Sequence, residues 1–166
     1  MTEKQKDALS KIIAAVPDDY QAIFKEVADY AISLGYMPTL KGAKKDYADF
    51  IKSKVKRTIM KIDTAPTLPR LAIKFYALPE YAGIFKDAID ERVAIWQKLG
   101  YEAKCFGCGK CDGTHGFTVT FDDGKQGFLC GGGVFDLPSF GAENVSEVKA
   151  ALKAQDVFFM ANITST

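Results

Sequence analysis

The residues of this 166-residue chain whose types and spacing could do chemistry are its four cysteines. Three stand in the run Cys105-Phe106-Gly107-Cys108-Gly109-Lys110-Cys111, and the fourth is Cys130. Two residues between successive thiols let a tight turn aim both sulfurs at one point. Gly107 and Gly109 permit the backbone angles such a turn needs. Four converging thiolates suit a tetrahedral ion, so Cys105, Cys108, Cys111 and Cys130 are the expected ligands of a structural zinc site. His115, four residues past Cys111, reads most plainly as a solvated or hydrogen-bonding loop residue, with a role as alternate ligand or as a supporting group behind the ligands as the other reading.

The same seven residues, with one remote cysteine, resemble half of a bacterial ferredoxin motif, and that resemblance implies an iron–sulfur cluster as the alternative cofactor. Cys130 departs from the pattern, being followed by Gly131 where ferredoxins carry proline, and no second motif accompanies the first. A Cys108/Cys111 thiol redox pair is a further alternative, although this Cys-x-x-Cys does not follow a strand and open a helix as in thioredoxin-like proteins. His115 is the single histidine. That count excludes multi-histidine metal centres, a His-Glu-x-x-His helix and any histidine acid–base chemistry elsewhere. A nucleophilic Cys–His pair would sacrifice a ligand, and no residue is assigned a catalytic role. The chain has no Gly-x4-Gly-Lys-Ser/Thr loop, and Gly131-Gly132-Gly133 has the wrong spacing for a dinucleotide fingerprint.

Charge suggests a second kind of partner. The net charge is +1, yet residues 41–74 hold ten basic and three acidic side chains, a local +7 that leaves −6 for the remainder. Lys52, Lys54 and Lys56 alternate, so an extended segment would line them on one face beside Arg57. Phosphate binding through that strip, with Tyr47 or Tyr76 stacking on bases, is the nucleic-acid alternative. The plainer reading is a solvated sheet face whose lysines guard an edge strand.

Positioning these groups requires a frame, and the hydrophobic periods supply one. Thr2-Glu3-Lys4-Gln5 has capping-box spacing, and Leu9, Ile12, Ile13 and Val16 follow at helical intervals. Pro17 starts a second helix whose stripe runs from Ile23 to Leu34, with Gly35 as its stop, so residues 2–35 form a helical hairpin. Three period-two runs follow, over 47–53, 55–62 and 70–76. The clearest helix opens at Leu78-Pro79-Glu80 and continues to Leu99, with Gly100 as its terminator, and is the expected centrepiece of the core. Phe117, Val119 and Phe121 then alternate with threonines. If Asp123-Gly124 is a two-residue turn, Asp122 pairs with Lys125, and Cys130 faces Phe117 at the base of the cysteine knuckle. After a Gly/Pro-rich stretch, Asn144-Val145-Ser146-Glu147 has capping-box spacing and begins a closing helix.

The order of elements predicts an α+β fold: a largely antiparallel sheet of about five short strands packed against four helices, with a Cys-rich knuckle (105–130) before the last hairpin. One domain over 1–166 suits the length. Hydrophobic residues make up 48% and charged residues 26%, and no apolar run is long enough to span a membrane. The charged first residues lack a signal-peptide core, so a reducing cytoplasm is the expected compartment, and clustered thiols there more often bind metal than form disulfides. The expected function is that of a metal-binding interaction module.

Overall fold

The computed structural model describes residues 1–64, 68–77, 83–100, 113–121, 123–137 and 140–162. Helix α1 (Glu3–Ala14) starts on the expected capping box. Gln5 N–H donates to Thr2 Oγ1 at 3.3 Å, and Thr2 N–H donates to Gln5 Oε1 at 2.8 Å. Pro17 precedes α2 (Asp18–Ser33), whose first turn carries Asp18 and Asp19, favourable beside the exposed N–H groups of a helix start. Gly35 ends α2 at φ +91°, where its own N–H reaches the Ile32 carbonyl and Tyr36 N–H reaches that of Ala31.

Five strands form the main sheet: β1 (Met37–Lys41), β2 (Tyr47–Lys52), β3 (Arg57–Asp63), β4 (Arg70–Lys74) and β7 (Val134–Leu137). They lie in the order β1-β2-β3-β4-β7, every pair antiparallel. The register lines up two apolar rows across the sheet, Leu40–Ala48–Ile62–Leu71–Leu137 and Pro38–Phe50–Met60–Ile73–Phe135. Most of these side chains are buried, and α1, α2, α3 (Gly83–Leu99) and α4 (Val145–Ala161) supply the rest of the same core. Each fully buried Leu, Ile or Phe contributes about 1.5–3 kcal/mol, so these rows dominate the fold's stability. Between Phe50 and Ile51 the register slips by one, leaving Ile59 as an extra residue that is wholly buried. The α+β class and the antiparallel sheet are as the sequence predicts.

Two strands escape the periodic pattern. Pro38 interrupts the β1 run, as suits an edge strand that has only one neighbour to bond. β7 is only four residues long, too short for a period-two run to stand out, and it pairs with β4 along its whole length. The expected centrepiece helix is also displaced in importance. α3 buries Ile84, Phe85, Ala88 and Ile89, all in its first two turns, while Ile95 and Leu99 stay exposed. α4 buries seven residues along its whole length and packs on β3 and α2. Residues 78–82, where α3 was expected to open, lie outside the described residues.

The second capping box does not form. Asn144 Oδ1 turns back to accept Gly141 N–H at 3.1 Å within a 3-10 turn (Ala142–Asn144). Glu147 reaches Gly83 at the start of α3 instead, so close that a Cβ on Gly83 would stand 2.3 Å from its carboxylate.

β5 (Gly116–Thr120) and β6 (Gln126–Cys130) form the separate hairpin. Its register differs by one from the two-residue turn. Phe121 N–H donates to the Lys125 carbonyl and Gly124 N–H to the Phe121 carbonyl, giving a three-residue loop with Gly124 at φ +78°. Cys130 therefore pairs with Gly116, and Phe117 pairs with Leu129. An Asp-Gly sequence serves both turn types, and the longer one lets Leu129 reach the core and Phe117 reach Phe75.

Candidate metal centre at Cys130

Cys105, Cys108 and Cys111 lie outside the described residues, so only the fourth expected ligand is placed. Cys130 ends β6, half-buried and reduced, opposite Gly116. Its Sγ accepts the N–H of Gly132 at 3.4 Å, a bond of the kind that steadies thiolate ligands in metal sites. Among the described residues no three His, Cys, Asp or Glu side chains gather as a ligand set.

The three glycines after Cys130 explain how the sulfur is held. Gly131 N–H donates to the His115 carbonyl at 3.1 Å, and its own carbonyl accepts Phe75 N–H at 3.0 Å. The hairpin is thereby joined to the main sheet through one residue. A Cβ on Gly131 would come within 2.7 Å of the Phe75 and Tyr76 main chain, so only glycine fits. At Gly132 a Cβ would stand 2.6 Å from Tyr76 Oη and 3.4 Å from Cys130 Sγ, so phenol and thiol both border the same glycine. The Lys74 ammonium donates to the Gly132 carbonyl.

Tyr76 belongs to a wall behind the cysteine that sequence reasoning assigned only to possible base stacking. Its ring stacks on Phe158 (5.2 Å between centroids) and meets Phe159 edge-on. Tyr76 N–H donates to the buried Gln155 Oε1 at 3.1 Å, whereas Gln155 Nε2 has no partner among the described residues. The His115 ring meets Phe158 edge-on at 4.5 Å, so the lone histidine joins the same cluster as Cys130. Three consecutive glycines directly after the remote cysteine were the available signal for this cradle. Lys74, Tyr76 and Gln155 carried no local signal, because their contacts span 58 and 79 residues of chain.

The lysine strip is not assembled as expected. Residues 53–56 form a turn, with Lys56 at φ +51°, so Lys52, Lys54 and Lys56 do not share an extended face. Lys52 is instead a largely buried partner of Asp156, 2.7 Å away, and lies 5.2 Å from the Tyr36 ring centroid. Burial and the Asp156 carboxylate push the Tyr36 phenol far above its ordinary value, so it stays neutral. Further along, Lys61 sits 3.9 Å over the Tyr47 ring, and Arg70 bridges Asp63 and Asp136 across the polar face of the sheet. The other basic groups split between the β1–β2 turn (Lys41, Lys44, Lys45) and the β2–β3 turn (Lys54, Lys56, Arg57), at opposite ends of β2. Six residues of strand separate them by about 20 Å.

Among the described residues no helix is long and apolar enough to cross a membrane. No protein-family model matches the chain, and no curated protein or solved structure matches it either.

Proposed function

We propose that Cys105, Cys108, Cys111 and Cys130 hold one structural zinc ion, and that the chain is a cytoplasmic interaction module whose loop the ion shapes. The carrying observation is the prepared seat of Cys130: a half-buried thiol with a backbone N–H aimed at its sulfur, on a glycine run that packing fixes. Chain geometry is compatible. Cys111 precedes Gly116 by five residues, a reach of up to about 17 Å. Gly116 is the residue directly across from Cys130, with paired Cα atoms about 5 Å apart. The cytoplasmic placement rests on clustered thiols.

An iron–sulfur cluster on the same thiols is the alternative, and elemental analysis separates the two. Protein purified without added metal is expected to carry one zinc per chain and to lose thermal stability on chelation. Iron with acid-labile sulfide would replace zinc by the cluster. Metal-free protein with four titratable thiols would overturn both. The nucleic-acid alternative loses its strip, since Lys52 is committed to Asp156 and the remaining cations divide between two ends of the sheet.

A further inference from the structure

We propose that the cleft between α1 and the free edge of β1 is a docking site for an extended acidic peptide, which adds to the main sheet as a short strand. β1 lies at the opposite edge of the sheet from β7, so the proposal stands apart from the Cys130 site and the metal reading. The Asp46 carbonyl accepts both the N–H and the hydroxyl of Thr64, just past β3, at 2.9 Å each. Main-chain groups alternate sides along a strand, so Tyr47, Asp49 and Ile51 turn theirs toward Lys41, Thr39 and Met37 of β1. The main-chain groups of Pro38 and Leu40 then point away from the sheet. Pro38 brings no N–H, so this edge presents the Leu40 N–H and two carbonyls. An unpaired row of this kind is a template for a further strand.

The edge opens into a cleft of about 380 Å³, inside the range of ligand sites, about 300–1,000 Å³. Lys4 and Lys11 of α1 and Lys45 of the β1–β2 turn line it, against one carboxylate, Asp7. Asp7 is taken up by Lys11 at 2.8 Å, whereas Lys4 and Lys45 have no ion-pair partner among the described residues. Lysines that merely guard an edge project from the strand itself, as Lys41 does. Here two of the three come from the helix across the cleft, so they border the space an added strand would fill. Carboxylates supply the complementary charge and peptide amides the complementary main chain. A nucleic-acid backbone brings the first without the second.

The probe is acetyl-Glu-Val-Glu-Val-Glu-amide carrying a fluorophore, titrated into the full-length protein at physiological ionic strength and read by anisotropy. This peptide is expected to bind, and the same peptide with lysine in place of glutamate is not. Lys4→Glu combined with Lys45→Glu should weaken binding about tenfold, while Lys54→Glu, beyond the other end of β2, should leave it unchanged. If the double reversal fails to fold, Lys4→Gln with Lys45→Gln gives the same comparison. N-methylation separates strand addition from charge alone, because it removes main-chain donors and keeps every carboxylate. Methylating the glutamate amides or the valine amides blanks opposite edges of the added strand, so only one of those two peptides should bind. Equal behaviour of the two methylated peptides, or no binding by the parent, overturns the docking site. So does undiminished binding to the charge-reversed variant, or equal occupancy of the cleft by single-stranded DNA. A dimer of the free protein that the peptide does not dissociate would put a second copy on the edge and overturn it as well.

Discussion

Gln155 Oε1 accepts the main-chain N–H of Tyr76, so the middle of α4 holds the chain just past the end of β4, directly behind Cys130. The bond is buried, and among the described residues the other end of the same amide goes unpaired. A buried orphan of this sort costs about 1–3 kcal/mol. The Tyr76 hydroxyl, beside Gly132, lies next to the cysteine seat.

Steric rescue tests that geometry. Gly132→Ala is expected to displace the Tyr76 hydroxyl, because its Cβ would stand 2.6 Å from Tyr76 Oη while also touching Cys130 Sγ at 3.4 Å. Cobalt binding should weaken and the melting temperature fall. Adding Tyr76→Phe removes the closer contact and should restore most of both, read by titration and calorimetry. A double variant no better than Gly132→Ala would show that Tyr76 does not back the glycine.

The Lys52–Asp156 pair yields a prediction about charge burial. Both side chains are mostly hidden, at 16% and 11% exposure. Asp156→Leu strands the ammonium and should destabilise by about 2–3 kcal/mol, below the 3–5 of a fully buried pair because some solvent reaches both groups. Lys52→Met combined with Asp156→Leu should recover at least half of that loss in urea unfolding.

Alkaline stability should depend on Tyr36. Its phenol ionises near 10.0 in the unfolded chain and well above that when folded. The contribution is complete below pH 10 and is lost as pH rises beyond it, because only the unfolded chain releases the proton. Melting curves from pH 9 to 11.5 should fall more steeply for wild type than for Tyr36→Phe. Parallel curves would contradict the assignment.

Polyanion binding should be weak and easily salted out. Two clusters of three cations about 20 Å apart offer few simultaneous phosphate contacts. Retention of single-stranded DNA at low salt should vanish by about 0.2 M. A complex surviving that concentration would revive the phosphate-binding alternative.

Much of the frame was legible because it rests on local physics. Thr2 and Gln5 cap α1 as their spacing indicates, Gly35 and Gly100 end helices at positive φ, and alternation marks β2 to β6. What stayed hidden is what the rest of the molecule decides. Pro38 looks like a strand breaker until β1 is seen to lie at an edge, and the four residues Val134–Leu137 are too few to show an alternation until β4 is seen to pair with them. Lys52 resembles its neighbours at 54 and 56, and only Asp156, 104 residues away, sets it apart. Cysteine spacing named the expected ligands, yet the cradle around Cys130 is built by Lys74, Tyr76 and Gln155 from elsewhere in the chain.

Gly131 belongs to two ladders at once, one through His115 and the other through Phe75. Lengthening the loop between Phe121 and Lys125 leaves that joint undisturbed, whereas one extra residue between Gln126 and Cys130 would turn the thiol to the opposite side of the ribbon. Chains of this kind should therefore vary freely in length at the hairpin tip, while the five residues leading into the triple glycine keep a constant count.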